Sequence, residues 1–194
     1  HVVNVVRKGD LLFCITRGMN GPITAYQHHL YKSENNGITW EQTNTPSNLD
    51  WLNLPSIGVV QDYLLMFEDG RDMYRSNDDG LTWETMVLPT DYFSQLFHDE
   101  INIVYRSYPE GVFLSRDAGD TWETIADSAQ QFVDVFLLKD STILGHAYPN
   151  DVSKYVYSPD LGQNWLEMDS LPGSTSYEQF FPGLGDTIFL VKGD

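Results

Sequence analysis

Cysteine is nearly missing from this chain: Cys14 is the only one in 194 residues. A single cysteine excludes an intrachain disulfide and a multi-cysteine zinc site. Within "LLFCITR" it reads as a small buried hydrophobe rather than a reactive thiol. Positive charge is also scarce, with 11 Lys and Arg against 28 Asp and Glu, a formal net charge of −17. That balance argues against nucleic acid, whose phosphates need a basic surface, and against an anionic membrane surface. Its plain role is solubility through self-repulsion. No apolar run approaches the ~18 residues of a membrane span, so no membrane insertion is expected. Helical periodicity is absent too: apolar residues alternate or form short runs and never sustain an i, i+3, i+4, i+7 spacing. The chain opens on "HVVNVV" with neither a methionine nor a signal peptide, which reads as a processed or truncated start.

What is present is globular: 41% hydrophobic residues and 13% aromatics exclude a disordered chain. One pattern recurs four times, as "SENNGITWEQ" from Ser33, "SNDDGLTWET" from Ser76, "SRDAGDTWET" from Ser115 and "SPDLGQNWLE" from Ser158. Its tryptophans, Trp40, Trp83, Trp122 and Trp165, stand 43, 39 and 43 residues apart. A period near 40 without helices points to radially stacked β-units, each of four strands, the strand count of a propeller blade. An acidic turn before each second strand repeats in phase: Asp10, Asp62, Asp99-Glu100, Asp140 and Asp186. The expected fold is therefore an all-β propeller of four-stranded antiparallel blades over residues 1–44, 45–87, 88–126 and 127–169. A partial fifth blade occupies 170–194, so the chain reads as a single domain and as a piece of a larger ring.

The motif falls between the third and fourth strands, in a hairpin turn. Gly37, Gly80, Gly119 and Gly162 permit a positive φ there. Asn35, Asp78, Asp117 and Asp160 can accept hydrogen bonds from the turn's own amides, with Thr39, Thr82, Thr121 and Asn164 as partners. Each tryptophan is expected to turn inward, where burial contributes roughly 2–3 kcal/mol. These residues, with Ser33, Ser76, Ser115 and Ser158, resemble the Asp-box or bacterial neuraminidase repeat, Ser-x-Asp-x-Gly-x-Thr-Trp. The second and third copies match every fixed position; the first has Asn35 for aspartate and the fourth has Asn164 for threonine. The resemblance implies a sialidase-like propeller fold, with the boxes on the face opposite the ligand site. It leaves function open among sialidases, xyloglucan-cleaving glycosidases, sortilin-type receptors and photosystem assembly factors.

On the opposite face, basic or titratable residues recur near the ends of second strands: Arg17, Arg106, His146 and Lys192, with Arg71 after Glu68-Asp69. Tyr108 and Tyr148 follow two residues after Arg106 and His146, and Trp51, Tyr92 and Tyr177 sit in connections. Arginine beside exposed aromatics suits an anionic or sugar ligand. The candidate ligand-binding residues are Arg17, Trp51, Arg71, Arg106, Tyr108, His146 and Tyr148; the alternative is that strand ends and loops carry such residues anyway. Sialidase chemistry would add three arginines on the substrate carboxylate, a tyrosine nucleophile paired with a glutamate, and an acidic aspartate. The family's Phe-Arg-Ile-Pro string is absent and no Tyr/Glu pair can be assigned. Asp50, Asp69, Asp91, Glu110 and Asp151 would all serve an inverting glycosidase, too many to choose among. His28 and His29 are strand neighbours pointing to opposite faces, which reads as a surface pair rather than a metal site. No metal and no cofactor is expected. The expectation is a secreted or periplasmic binding and scaffold module for a glycan or protein; the alternative is a portion of a glycoside hydrolase of sialidase or xyloglucanase type.

Overall fold

Alternating and short apolar runs, cut by Gly, Asp and Asn turns, make nearly every element a strand. The computed structural model describes residues 2–19, 26–49, 55–68, 70, 72–138, 140–168, 178–182 and 188–192. The first sheet holds β1 (Val2–Lys8), β2 (Leu11–Met19), β3 (Tyr26–Ser33) and β4 (Glu41–Thr43). The second holds β5 (Ser56–Val60), β6 (Tyr63–Phe67), β7 (Met73–Ser76) and β8 (Glu84–Thr85). The third holds β9 (Gln95–His98), β10 (Ile103–Ser107), β11 (Gly111–Ser115) and β12 (Glu123–Asp127). The fourth holds β13 (Phe132–Leu137), β14 (Ile143–Ala147), β15 (Lys154–Ser158) and β16 (Leu166–Glu167). Each is an antiparallel meander in chain order, and a strand pair, β17 (Glu178–Pro182) and β18 (Ile188–Lys192), follows. Ser128–Gln130 and Pro149–Asp151 form single 3-10 turns, the only helical segments among the described residues.

The sheets meet face to face through three apolar layers, with β1 beside β5, β5 beside β9 and β9 beside β13. Phe13, Ile15 and Leu30 of the first sheet meet Leu64, Met66 and Tyr74 of the second. Leu65, Phe67 and Met86 meet Ile103, Tyr105 and Phe113; Val104, Val112 and Leu114 meet Phe132, Val135 and Ile143. This blade-on-blade burial, rather than a single central core, supplies the hydrophobic driving force.

The repeated turns are built by one set of bonds. In the second sheet Ser76 Oγ donates to Asp78 Oδ1 at 2.8 Å and accepts from Gly80 N at 2.9 Å. Thr82 donates through N to Asp78 Oδ1 at 2.8 Å and through Oγ1 to Oδ2 at 2.6 Å. Ser115–Asp117–Thr121 and Ser158–Asp160–Asn164 repeat the pattern, and Asn35 with Thr39 reproduces it with an amide. The glycines have φ of 82–92°, or 85° at Gly37, while the preceding Asn36, Asp79, Ala118 and Leu161 are also left-handed. Two adjacent positive φ values give the twist that hairpins prefer. At Ala118 and Leu161 the strain of a non-glycine left-handed residue is offset by burial in the layers between sheets.

One expectation is corrected. Trp83, Trp122 and Trp165 pack into the layers between their own sheet and the preceding one, but Trp40 is 40% exposed. The tryptophan face of a blade is covered by the blade before it, and among the described residues no sheet covers that face of the first blade. Trp83 and Trp165 also donate Nε1 to Asn44 and Ile125 carbonyls of the preceding sheet or its exit, both at 3.0 Å; Trp40 donates only to Gly37 O of its own turn. The indole is thus a fastener between blades rather than within one.

The hydroxyl and amide of Thr82 hold the Asp78 carboxyl down at about 2, below its usual 3.8. A depressed folded-state value stabilises the protein above the ordinary carboxylate range and is lost as pH falls from about 4 to about 2. Asp78→Asn keeps the turn, as Asn35 shows, but removes the titration. The stability gap between wild type and this variant should therefore be constant above pH ~5 and narrow below pH ~4, measured by urea unfolding across that range. A gap independent of pH down to ~2 would show that the charge contributes nothing.

Candidate functional site

The ladder registers place all four blades on one frame, because the motif serine pairs with Leu12, Leu64, Ile103 and Ile143 of the second strands. Three residues further on stand Ile15, Phe67, Arg106 and His146. Their first-strand partners are Asn4, Ser56, Gln95 and Asp134, so every innermost strand carries a polar residue at one level. Only in the third and fourth blades are both members of the pair polar. There the end of the blades carrying the second-to-third strand loops acquires a connected cluster.

Arg106 is its centre. Nε donates to Gln95 Oε1 at 3.2 Å, and one terminal nitrogen donates to the Phe132 carbonyl at 3.0 Å, across the junction of the third and fourth blades. Gln95 in turn donates to Asp134 Oδ1 at 2.5 Å and accepts from Val135 N at 3.2 Å. Burial pushes the Arg106 guanidinium below its ordinary value, and the Asp134 charge opposes this. Tyr92 and Tyr108 lie near enough to act on it electrostatically and are 51% and 61% exposed. Gly70, at φ 79°, leaves room for the Tyr92 ring, which an added Cβ would strike. His146 is buried: Nε2 bonds Ser153 Oγ at 2.9 Å, the ring stacks on Tyr155 at 4.6 Å, and Tyr148 tilts against it at 4.9 Å.

The structure thus brings Arg106 near Tyr108, and His146 against Tyr148; Asp134 is the ladder partner of His146 and is joined to Arg106 through Gln95. It does not bring Arg17 with them. Arg17 lies in the first blade, paired across the ladder with His28, two positions beyond the level that Arg106 and His146 share. Trp51 and Arg71 lie outside the described residues, as does Lys192's side chain. Gln95 and Asp134 escaped the sequence reading, although a polar residue inside "SQLFH" and "VDVFL" is the signal that marks them.

At the opposite end of the innermost strands, on the side of the motif turns, lies a cavity of about 470 Å³. It is lined by Val6, Arg7, Val59, His98, Ile101 and Ser141, among others. Burial holds the His98 imidazole below its usual value, and Gly58 makes space for its ring. A tyrosine beside carboxylates does occur: Tyr74 donates to Asp72 Oδ2 at 3.2 Å, near Glu68. Burial first, then these charges, push it up to about 12, and it is packed in a blade interface, the reverse of an activated nucleophile. No cluster of three or more His, Cys, Asp or Glu residues suited to a metal occurs among the described residues. Among them, too, no helix is long and apolar enough to cross a membrane.

No protein-family model matches the chain, and no curated protein matches its sequence. Solved structures do. A YCF48 protein bound to a D1 peptide is similar with a TM-score of 0.55 and 16% identity, over 84% of this chain and 52% of that one. The GH74 xyloglucanase of Xanthomonas campestris gives 0.54 and 17%, over 89% of this chain and 31% of that one. YCF48 from Cyanidioschyzon merolae gives 0.51 and 12%, over 93% and 75%. The chain spans about half of the first of these and under a third of the second. At such identities the likeness is one of fold: the chain is a β-propeller, with four four-stranded blades among the described residues.

Proposed function

We propose that this propeller is a binding and scaffold module, and that it takes an acidic polypeptide segment at the loop-bearing end of the third and fourth blades. The observation that carries this is Arg106, with the exposed Tyr92 and Tyr108 within electrostatic reach, whose bonds to Gln95 and Phe132 use Nε and one terminal nitrogen of its fork. In an otherwise acidic molecule such a cation focuses a local positive potential, and its fork matches a carboxylate. The peptide-bound YCF48 supports a polypeptide ligand over a sugar acid. We read the repeated turns as Asp-boxes, and the protein as secreted or periplasmic, on the sequence resemblance. A second reading, a portion of a glycoside hydrolase, draws on the GH74 likeness; turnover of chromogenic glycosides by this chain would establish it.

The test is biolayer interferometry against an array of acidic peptides, with their amidated or neutralised versions as controls. Arg106→Lys keeps the charge but loses the fork, and should weaken the best peptide about tenfold. Tyr108→Ala, at an exposed position, should weaken it several-fold while leaving the melting temperature unchanged. The reading fails if both variants bind like wild type, or if neutralised peptides and sugar acids bind as well as acidic peptides.

A further inference from the structure

In a chain with 28 acidic and 11 basic residues, a cation is readily claimed by a carboxylate. Lys8, Lys32, Arg116 and Lys154 each hold one, and Arg75 holds two. Arg106 differs from them. The Asp134 charge acts on its guanidinium, yet the bond at Nε goes to a neutral amide, Gln95 Oε1, at 3.2 Å. The sheet registers place Gln95 between the two charges. It stands opposite Arg106 in the ladder of β9 and β10, and β9 packs beside β13, the strand that carries Asp134.

Three bonds fix which way the Gln95 amide faces. Oε1 accepts from Arg106 Nε and from Val135 N, both at 3.2 Å, so Nε2 faces the other way and donates to Asp134 Oδ1 at 2.5 Å. The reverse orientation would set the amide nitrogen against two donors. One amide thus satisfies a cation with its oxygen and an anion with its nitrogen. An apolar side chain of the same length would offer neither group. Guanidinium and carboxylate would then face each other in a part-buried junction, where water screens their attraction less than at an open surface. A direct pair would draw the fork towards Asp134 and cancel the positive potential that an acidic ligand meets.

We infer that Gln95 is a positioning residue that holds Arg106 and Asp134 apart and so keeps the guanidinium open to an anionic ligand; this rests on the peptide reading of Arg106. In peptide interferometry Gln95→Met, close to glutamine in length and volume, should weaken the best acidic peptide about tenfold. Adding Asp134→Asn should restore binding to within about threefold of wild type, because the competing charge is gone. A loss of packing alone would not be repaired by that change. Gln95→Glu supplies its own carboxylate at Nε, so it should weaken the peptide at least as much and should not be rescued by Asp134→Asn. A second measurement needs no ligand: a double-mutant cycle of Arg106→Gln and Asp134→Asn in urea unfolding. The coupling should be under about threefold in the unfolding constant for the wild-type background, and at least about tenfold with Gln95→Met. The inference is overturned if Gln95→Met binds peptide like wild type, or if Asp134→Asn fails to rescue it. It is equally overturned if the wild-type coupling exceeds about threefold or is not raised by Gln95→Met. Absence of peptide binding by wild type would sink the peptide reading alone, and the unfolding cycle would still decide whether Gln95 keeps the two charges apart.

Discussion

Gly111→Ala is expected to destabilise the protein by about 3 kcal/mol or more. Gly111 opens β11 at φ 134°, where residues with a Cβ are strained. A Cβ at this position would also be driven into the carbonyl oxygen of Ala126, a backbone atom that cannot rotate away. The strand opposite is committed: Gly111 pairs with Asp127, whose carboxylate accepts from Ala129 N at 2.9 Å to start the turn leading into β13. Moving Ala126 therefore disturbs the passage into the fourth blade, and with it the Phe132 carbonyl that Arg106 grips. The melting temperature should fall by roughly 6–12 °C. Gly9→Ala is the control, since Gly9 has a positive φ of 56° but open space around it. It should cost only about 1 kcal/mol. Equal losses at the two sites would mean that the close approach to Ala126 is not a constraint.

Tyr105→Ala should cost about 4 kcal/mol in urea unfolding. Tyr105 is fully buried between the second and third blades, stacked on Phe113 at 4.9 Å and edge-on to Trp122 at 5.0 Å. Truncation removes the ring that joins these partners and leaves a cavity the rigid sheets cannot close. Tyr105→Phe keeps the packing and loses only the 3.3 Å contact of the hydroxyl with Thr90, about 1 kcal/mol. The phenol carries a further signature. Burial pushes it up to about 12 from 10.0, so its contribution is fully present below pH 10 and is lost as pH rises towards 12. The phenylalanine variant should consequently lose less stability than wild type on raising the pH beyond 10. A Tyr105→Ala cost under about 1 kcal/mol would mean that blade contact is not what holds the propeller together.

Much of the architecture was legible beforehand because a turn advertises itself locally. Serine, carboxylate, glycine and threonine within seven residues make bonds to one another, so their order alone implies the bend. Strand pairs followed from apolar runs ending at acidic turns. The left-handed state of Ala118 and Leu161 was not legible, because nothing in their chemistry favours it; burial between blades does. Nor was the exposure of Trp40, which has the same neighbours in sequence as Trp83. Arg75 is a similar case. It reads as one more surface cation, yet it donates to Glu84 of its own blade and to Asp120 and Ala118 O of the next.

The amino-acid sequence by itself determined the repeat, the turn chemistry and the four-stranded unit, since these depend on atoms a few residues apart. Which side of an indole is covered and which arginine is gripped by a neighbouring blade were decided only by tertiary structure. Those properties belong to pairs of blades, and their partners lie some 40 residues apart, as Trp83 and Asn44 do.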